Sequence, residues 1–267
     1  MKKFSLVILI LVFGVCLFAG MASATWINPS GGGNGSETSL QGVLNNITNG
    51  GTSSVDASGT DNASLPDGAD SIWQISATGV SAATMIIEIA GFASQNVFGI
   101  YDPYDISRRV QLFAGSDTSG DKIAISNDAA DQSWVISHLS APLTISDTGI
   151  VFSSSYFGYY LTSPDGTFYS DTSKNPDLYD HLVAFQGTGD MVKLPGSSDY
   201  RTWTNAEYIL GWEDRLSNLS DKDYQDLVIM VESVNPAPVP EPATMLLLGS
   251  GLIGLAGFGR KRLLKKA

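Results

Sequence analysis

Phe157-Gly158-Tyr159-Tyr160-Leu161-Thr162-Ser163-Pro164-Asp165-Gly166-Thr167-Phe168-Tyr169-Ser170 decides the fold class. Ser163-Pro164-Asp165-Gly166 reads as a turn, because proline presets the backbone of the second position in type I and II turns. The residues on both sides are aromatic or β-branched, so 157–161 and 167–170 are the two arms of a hairpin. Working outward, the same signature recurs in short runs bounded by turn residues: 71–78, 84–92, 96–101, 109–113, 122–126, 133–137 and 149–152 before the hairpin, and 182–186, 206–212 and 226–231 after it. About a dozen strands with short polar loops predict an all-β fold over 71–234, a β-sandwich of jelly-roll-like character.

Residues 25–70 are rich in Gly, Ser, Asn, Thr and Asp, which is loop composition. One short helix is expected inside this segment. Leu40, Val43, Leu44 and Ile47 follow helical spacing, Thr38 is a capping candidate with Gln41 three residues later, and Gly50-Gly51 ends the run.

The chain has 267 residues, with 15 Lys+Arg, 27 Asp+Glu and a net charge of −12. Residues 25–242 hold eight of the basic residues against all 27 acids, a net charge of −19. That balance excludes a basic nucleic-acid binder, which needs a positive face for phosphates. It favours cations and basic groups as partners. The 43% hydrophobic content, with five Trp, ten Tyr and eleven Phe, argues against wholesale disorder.

Both ends read as targeting segments. Lys2 and Lys3, the apolar run 4–18 and the A-x-A signal Ala22-Ser23-Ala24 form a secretory signal peptide with a mature start at Thr25. Its cleavage removes Cys16, the single cysteine, and leaves no thiol or disulfide chemistry. At the other end, a Pro-rich linker over 235–242 precedes the uncharged apolar segment 243–259 and a basic tail over 260–267. Seventeen helical residues span about 26 Å, enough for a thin bilayer, and the basic residues then remain cytoplasmic. Two fates are open for this transmembrane helix: a permanent anchor, or a temporary one removed after export.

Val239-Pro240-Glu241-Pro242-Ala243, Leu246-Leu247-Leu248-Gly249-Ser250-Gly251-Leu252 and Arg260-Lys261-Arg262 together resemble the PEP-CTERM sorting signal. The resemblance implies an exported protein of a Gram-negative bacterium that makes exopolysaccharide, destined for the cell surface or extracellular matrix. It also implies recognition by an exosortase at the inner membrane through Pro240, Glu241 and Pro242.

Gly211-Trp212-Glu213-Asp214 and Asp221-Lys222-Asp223-Tyr224-Gln225-Asp226 place five carboxylates within fourteen residues. Like charges at this density repel unless water or a cation intervenes, and clustered Asp and Glu are the usual oxygen donors for Ca²⁺. The spacing is not that of an EF-hand loop. A solvated loop partly neutralised by Arg215 and Lys222 is the alternative. The segment also resembles an uncharacterised extracellular β-domain, found beside PEP-CTERM tails and in calcium-rich adhesins, that carries G-[FW]-E-D and D-x-D-[YF]-x-D motifs. The aromatic runs 157–161 and 167–170 and His181-Leu182-Val183-Ala184-Phe185 share in that likeness, which covers roughly 150–232. By it, Glu213, Asp214, Asp221, Asp223 and Asp226 are the candidate metal ligands.

Asp102, Asp105, Asp117 and Asp121 form a weaker acidic set that reads first as turn chemistry. Tyr156, Phe157, Tyr159, Tyr160, Phe168, Tyr169 and Tyr179 are core aromatics or, if exposed, a stacking surface for sugars. The two histidines, His138 and His181, have no catalytic partner at a recognisable spacing, and His181 beside Asp180 reads as a strand-start residue bonded to backbone. No nucleophile, P-loop, zinc-protease or dinucleotide motif is present. The expectation is a non-enzymatic, calcium-stabilised exported protein. The alternatives are a carbohydrate-binding module for exopolysaccharide and, behind it, a matrix-glycan hydrolase with paired acids.

Overall fold

The computed structural model describes residues 29, 37–58, 64–76, 79–88, 92–140, 142–237 and 250. The signal peptide with Ala22 and Ala24, the Pro240-Glu241-Pro242 motif and the expected transmembrane helix 243–259 lie outside the described residues. Among the described residues no helix is long and apolar enough to cross a membrane.

Among the described residues fifteen strands run in chain order: β1 (Trp73–Ile75), β2 (Val80–Glu88), β3 (Val97–Asp102), β4 (Asp105–Ala114), β5 (Lys122–Asn127), β6 (Ser133–His138), β7 (Thr144–Val151), β8 (Tyr156–Ser163), β9 (Gly166–Tyr169), β10 (Leu182–Gln186), β11 (Met191–Val192), β12 (Arg201–Thr202), β13 (Glu207–Trp212), β14 (Leu227–Glu232) and β15 (Val234–Pro236). One sheet has the order β15-β1-β8-β3-β4, with β9 on β8; the other has the order β10-β13-β14-β2-β5-β6-β7; β11 and β12 form a separate ribbon. Every pairing is antiparallel. The expected hairpin is present as β8–β9, with Ser163 opposite Gly166.

The two sheets pack face to face as a sandwich. Alternation along each strand decides what lies between them. Phe157, Tyr159 and Leu161 of β8 face inward, as do Phe98 and Ile100 of β3, against Tyr208, Leu210 and Trp212 of β13 and Leu227, Ile229 and Val231 of β14. The alternate residues of β13 and β14, Ile209, Val228 and Met230, face the other way and are still buried. A helix covers them, which is why Leu227-Val228-Ile229-Met230-Val231 reads as an unbroken apolar run.

That helix, α1 (Leu40–Ile47), buries the four expected residues Leu40, Val43, Leu44 and Ile47. Each contributes roughly 1.5–3 kcal/mol by burial. Its cap is Ser39 rather than Thr38: the Ser39 hydroxyl accepts the Gly42 N–H at 3.1 Å. Gln41 turns outward and fastens the following loop, its Oε1 accepting the Ala57 N–H at 2.6 Å.

Four strands depart most from the sequence expectation. β11 and β12 have two residues each, too few for any period. β15 carries Val234, Asn235 and Pro236 into the stretch read as a Pro-rich linker that ends the strands, and it pairs Pro236 with Trp73. A proline is tolerated because β15 is an edge strand and owes the ladder no N–H on its open side. β7 begins at Thr144 rather than 149, because this edge strand is mostly exposed and shows no apolar alternation.

Tyr101 of β3 stands opposite Gly158 of β8 and lies over it; a Cβ at Gly158 would come within 2.2 Å of the Tyr101 ring. Gly158→Ala is expected to lower unfolding free energy by about 1–3 kcal/mol through overpacking. Urea denaturation at constant m-value checks this, and an unchanged midpoint would contradict the packing described.

Candidate metal centre

The register of the second sheet pairs Trp212 directly with Leu227. Residues 213–226 therefore leave and return at one point on the sheet's end. Glu213 is the first residue of this loop and is 0% exposed. Its Oε1 accepts the Tyr224 N–H at 2.6 Å, and its Oε2 accepts the Ser220 hydroxyl. These bonds hold the loop's far end against its start. Between them Lys222 and Tyr224 have φ of 64° and 56°, the left-handed region that costs a non-glycine residue of order 1–3 kcal/mol. The loop is thus held in a strained shape by a buried carboxylate.

Neighbouring segments brace it. The Glu213 N–H donates to the His181 carbonyl at 3.0 Å. The His181 ring lies between the Glu213 carbonyl and Asp177, at 3.2 Å from each, and stacks on Phe168. His181 is therefore a satisfied core residue just ahead of β10, and its carboxylate partner is Asp177 rather than Asp180. The Tyr224 hydroxyl is 2.8 Å from both the Tyr179 hydroxyl and the Asp180 carbonyl. The Ser163 hydroxyl, at the hairpin turn, donates to the Asp214 carbonyl at 2.6 Å.

The five expected carboxylates separate into three roles. Glu213 is the internal brace. Asp214 and Asp226 form a pair: the Asp214 N–H donates to Asp226 Oδ2 at 3.0 Å, and Asn96 Nδ2 donates to Asp214 Oδ2 at 3.0 Å. Both carboxyls of this pair are held above the usual carboxylate range, first by burial, and the Asp214 charge adds to the rise of Asp226, to about 9. Asp221 and Asp223 are the third element, and they meet a residue the sequence did not single out, Glu37. Oxygens of Glu37, Asp221 and Asp223 all lie within 4.8 Å of one another. Asp223 is 1% exposed, and burial, then the charges of Asp221, Glu213 and Glu37, push its carboxyl up to about 7. Glu213 is raised as well, burial outweighing its hydrogen bonds. Nothing in the local sequence marks Glu37, whose one regular role would be an acid near a helix N-terminus.

Such an array suits a hard divalent cation, which takes oxygen ligands and replaces the protons that crowded carboxylates otherwise hold. The two basic residues of the loop are engaged elsewhere: Arg215 reaches Asp165 at 3.4 Å, and the Lys222 ammonium stands 5.3 Å from the Tyr179 ring centre.

A second acidic group, Asp128, Asp131 and Asp147, lies at the other end of the second sheet's strands β5 to β7. Each of its carboxylates accepts a local backbone N–H, from Ala130, Ser133 and Gly149 respectively. Asp102, Asp105, Asp117 and Asp121 likewise accept from Tyr104, Ser107, Ala114 and Thr118. These local bonds are turn chemistry, and the other Asp102 oxygen also accepts the Ser153 N–H at 2.6 Å. The aromatic set belongs to the packing. Phe157, Tyr159 and Phe168 are in the inter-sheet core, and Tyr160 and Tyr169 are buried with Tyr101 under Arg109. Tyr156 and Tyr179 are half-buried. Together they form no flat exposed platform.

Two family models match this chain. Residues 238–262 match the PEP-CTERM protein-sorting motif, and residues 118–234 match a domain of unknown function, DUF4114. The chain thus carries a DUF4114 domain followed by the sorting motif of exosortase-sorted, exported proteins. No curated protein and no solved structure matches it. The DUF4114 match begins at Thr118, so β1 to β4 and α1 precede it.

Asp70 also precedes it, yet it faces Asp180 inside the matched region. Both are buried. Burial and then the Asp180 charge hold Asp70 well above the carboxylate range, and burial and then the Asp67 charge push Asp180 up to about 8. In the unfolded chain both titrate near 3.9. The folded state therefore binds protons more tightly, and stability falls as pH rises from about 4 to about 8. Asp70→Asn, neutral throughout, is expected to flatten that fall in melting temperature measured in chelator. An equal fall in both proteins would contradict the pairing.

Proposed function

We propose that this chain is a non-enzymatic, exported module of the bacterial cell surface or extracellular matrix, whose sandwich is stabilised by Ca²⁺ bound at the 213–226 loop. The observation that carries the reading is the convergence of Glu37, Asp221 and Asp223 beside the buried Glu213 and the Asp214–Asp226 pair. Protons, donors or a cation must offset such a set. Outside the cell, at neutral pH, the cation that fits carboxylate oxygens in a flexible loop is calcium.

The sorting motif supplies the route. On this reading the signal peptide is cleaved after Ala24 and an exosortase acts at Pro240-Glu241-Pro242. The segment 243–259 serves as a membrane helix during that step. What remains is the strongly acidic sandwich. A calcium ion held at its surface by Asp221 and Glu37 also presents open positions to acidic groups of an exopolysaccharide, which fits a matrix role. The hydrolase reading is not favoured, since Asp226 is tied to the Asp214 backbone N–H and the buried Asp214 carboxyl to Asn96, rather than the two facing each other across a cleft. A sugar-stacking role for the aromatics is not favoured either, because most of those rings are buried.

Binding restricted to the folded state stabilises it by about 2.7 kcal/mol at a hundredfold excess over Kd. For a domain of this size the melting temperature is expected to rise by roughly 5–10 °C in calcium and to return in chelator. Calorimetric scans at pH 7 check this. Superimposable transitions in calcium and chelator would overturn the calcium reading.

A further inference from the structure

The acids at the loop are not the whole of the cluster. Gln225 is 1% exposed and projects into it, with Nε2 at 2.8 Å from Asp223 Oδ2 and 3.5 Å from Glu37 Oε2. Its Oε1 is buried and has no hydrogen-bond partner. A buried carbonyl left without a donor costs about 1–3 kcal/mol. Half a turn about the last side-chain torsion exchanges the amide nitrogen and oxygen. The oxygen then joins Glu37, Asp221 and Asp223, giving three carboxylates and one amide carbonyl. These are the ligand types Ca²⁺ takes, with water or backbone oxygen completing six to eight positions. In the arrangement without an ion, the amide N–H groups bond two of these carboxylates, Asp223 and Glu37, and offset their charge in part.

Glu37 connects this site to the rest of the fold. It lies two residues before Ser39, the cap of α1. The apolar face of α1 covers Ile209, Val228 and Met230, and Leu40 Cδ2 sits 3.3 Å from where a Cβ on Gly211 would be. The start of α1 therefore meets this end of the second sheet at two points, Leu40 against β13 and Glu37 against the acidic loop. Without a cation the ionic point is repulsive, since three carboxylates share it. With one it becomes a bridge between segments from opposite ends of the domain.

We propose that Glu37, Asp221, Asp223 and Gln225 Oε1 form a Ca²⁺ clamp, and that the clamp makes docking of α1 on the second sheet calcium-dependent. This rests on the calcium reading above but goes beyond it by adding Glu37 and Gln225 to the ligand set and giving the ion a mechanical consequence. Release of the ion loosens α1 and uncovers the apolar strip it protects. The same sandwich then presents a different surface in calcium-poor and calcium-rich surroundings.

The test is amide hydrogen exchange of residues 40–47 in the full chain, with Ca²⁺ alone as ligand or with chelator, alongside calcium affinity and melting temperature. The expected result is exchange about tenfold slower with Ca²⁺ in the wild type. Glu37→Gln is expected to weaken calcium binding by about 10- to 100-fold, as loss of a metal-supporting group does, and to abolish the calcium-dependent protection. In chelator Glu37→Gln is expected to melt no lower than wild type, because it removes a repelling charge, so a folding defect would be visible as such. If Ca²⁺ raises the melting temperature of wild type and Glu37→Gln equally while exchange at 40–47 does not change, the clamp is wrong and the loop's calcium binding stands. If Ca²⁺ affects neither protein, both fall.

Discussion

A carboxylate removed from water must be given a proton, a cation or several donors, and this constraint shapes the end of the sandwich. Glu213 meets it with donors, taking the Tyr224 N–H and the Ser220 hydroxyl. Asp226, beside Asp214, meets it by keeping its proton, its carboxyl pushed up to about 9 first by burial. Asp223, with Asp221 and Glu37 close by, meets it with an amide that leaves its own oxygen unpaired. The three solutions sit side by side in one loop. Only the last gathers three acidic side chains close enough to hold one ion, which separates a structural brace from a candidate binding site made of the same residue types.

The strands place this chemistry. Pairing of Trp212 with Leu227 returns the loop to its starting point, and burial of β13 and β14 on both faces makes that starting point rigid. The inner face is set by Tyr208, Leu210, Trp212, Leu227, Ile229 and Val231, the outer by α1. An N-terminal helix on the outer face brings Glu37 to a loop from the far end of the chain. The fold thus brings two segments distant in sequence together, through packing of the apolar face of α1 against β13 and β14.

Much of this was legible in the residues. The turn at Ser163-Pro164-Asp165-Gly166, the alternation in β8 and the spacing of Leu40, Val43, Leu44 and Ile47 depend on local rules, and each produced the element expected. The carboxylates of 213–226 were visible as a cluster because they are close in sequence. Their division of labour was not, because it depends on which side chain points inward at a left-handed turn, and Lys222 and Tyr224 adopt that turn without glycine. Glu37 was invisible for a different reason: its partners are brought to it only by helix docking. β15 was misread because Pro236 forbids a strand only where a ladder N–H is required, and an edge requires none. Strand order, which follows from long-range pairing, left no local mark.

The central claim is that the acidic end of this sandwich is built around a cation. Metal content by mass spectrometry, measured on the purified chain after equilibration with Ca²⁺ and dialysis into calcium-free buffer, tests it most directly. The account predicts about one calcium retained per chain, displaced by chelator and reduced in Asp223→Asn. Protein that leaves dialysis with no more calcium than an Asp223→Asn control would contradict it.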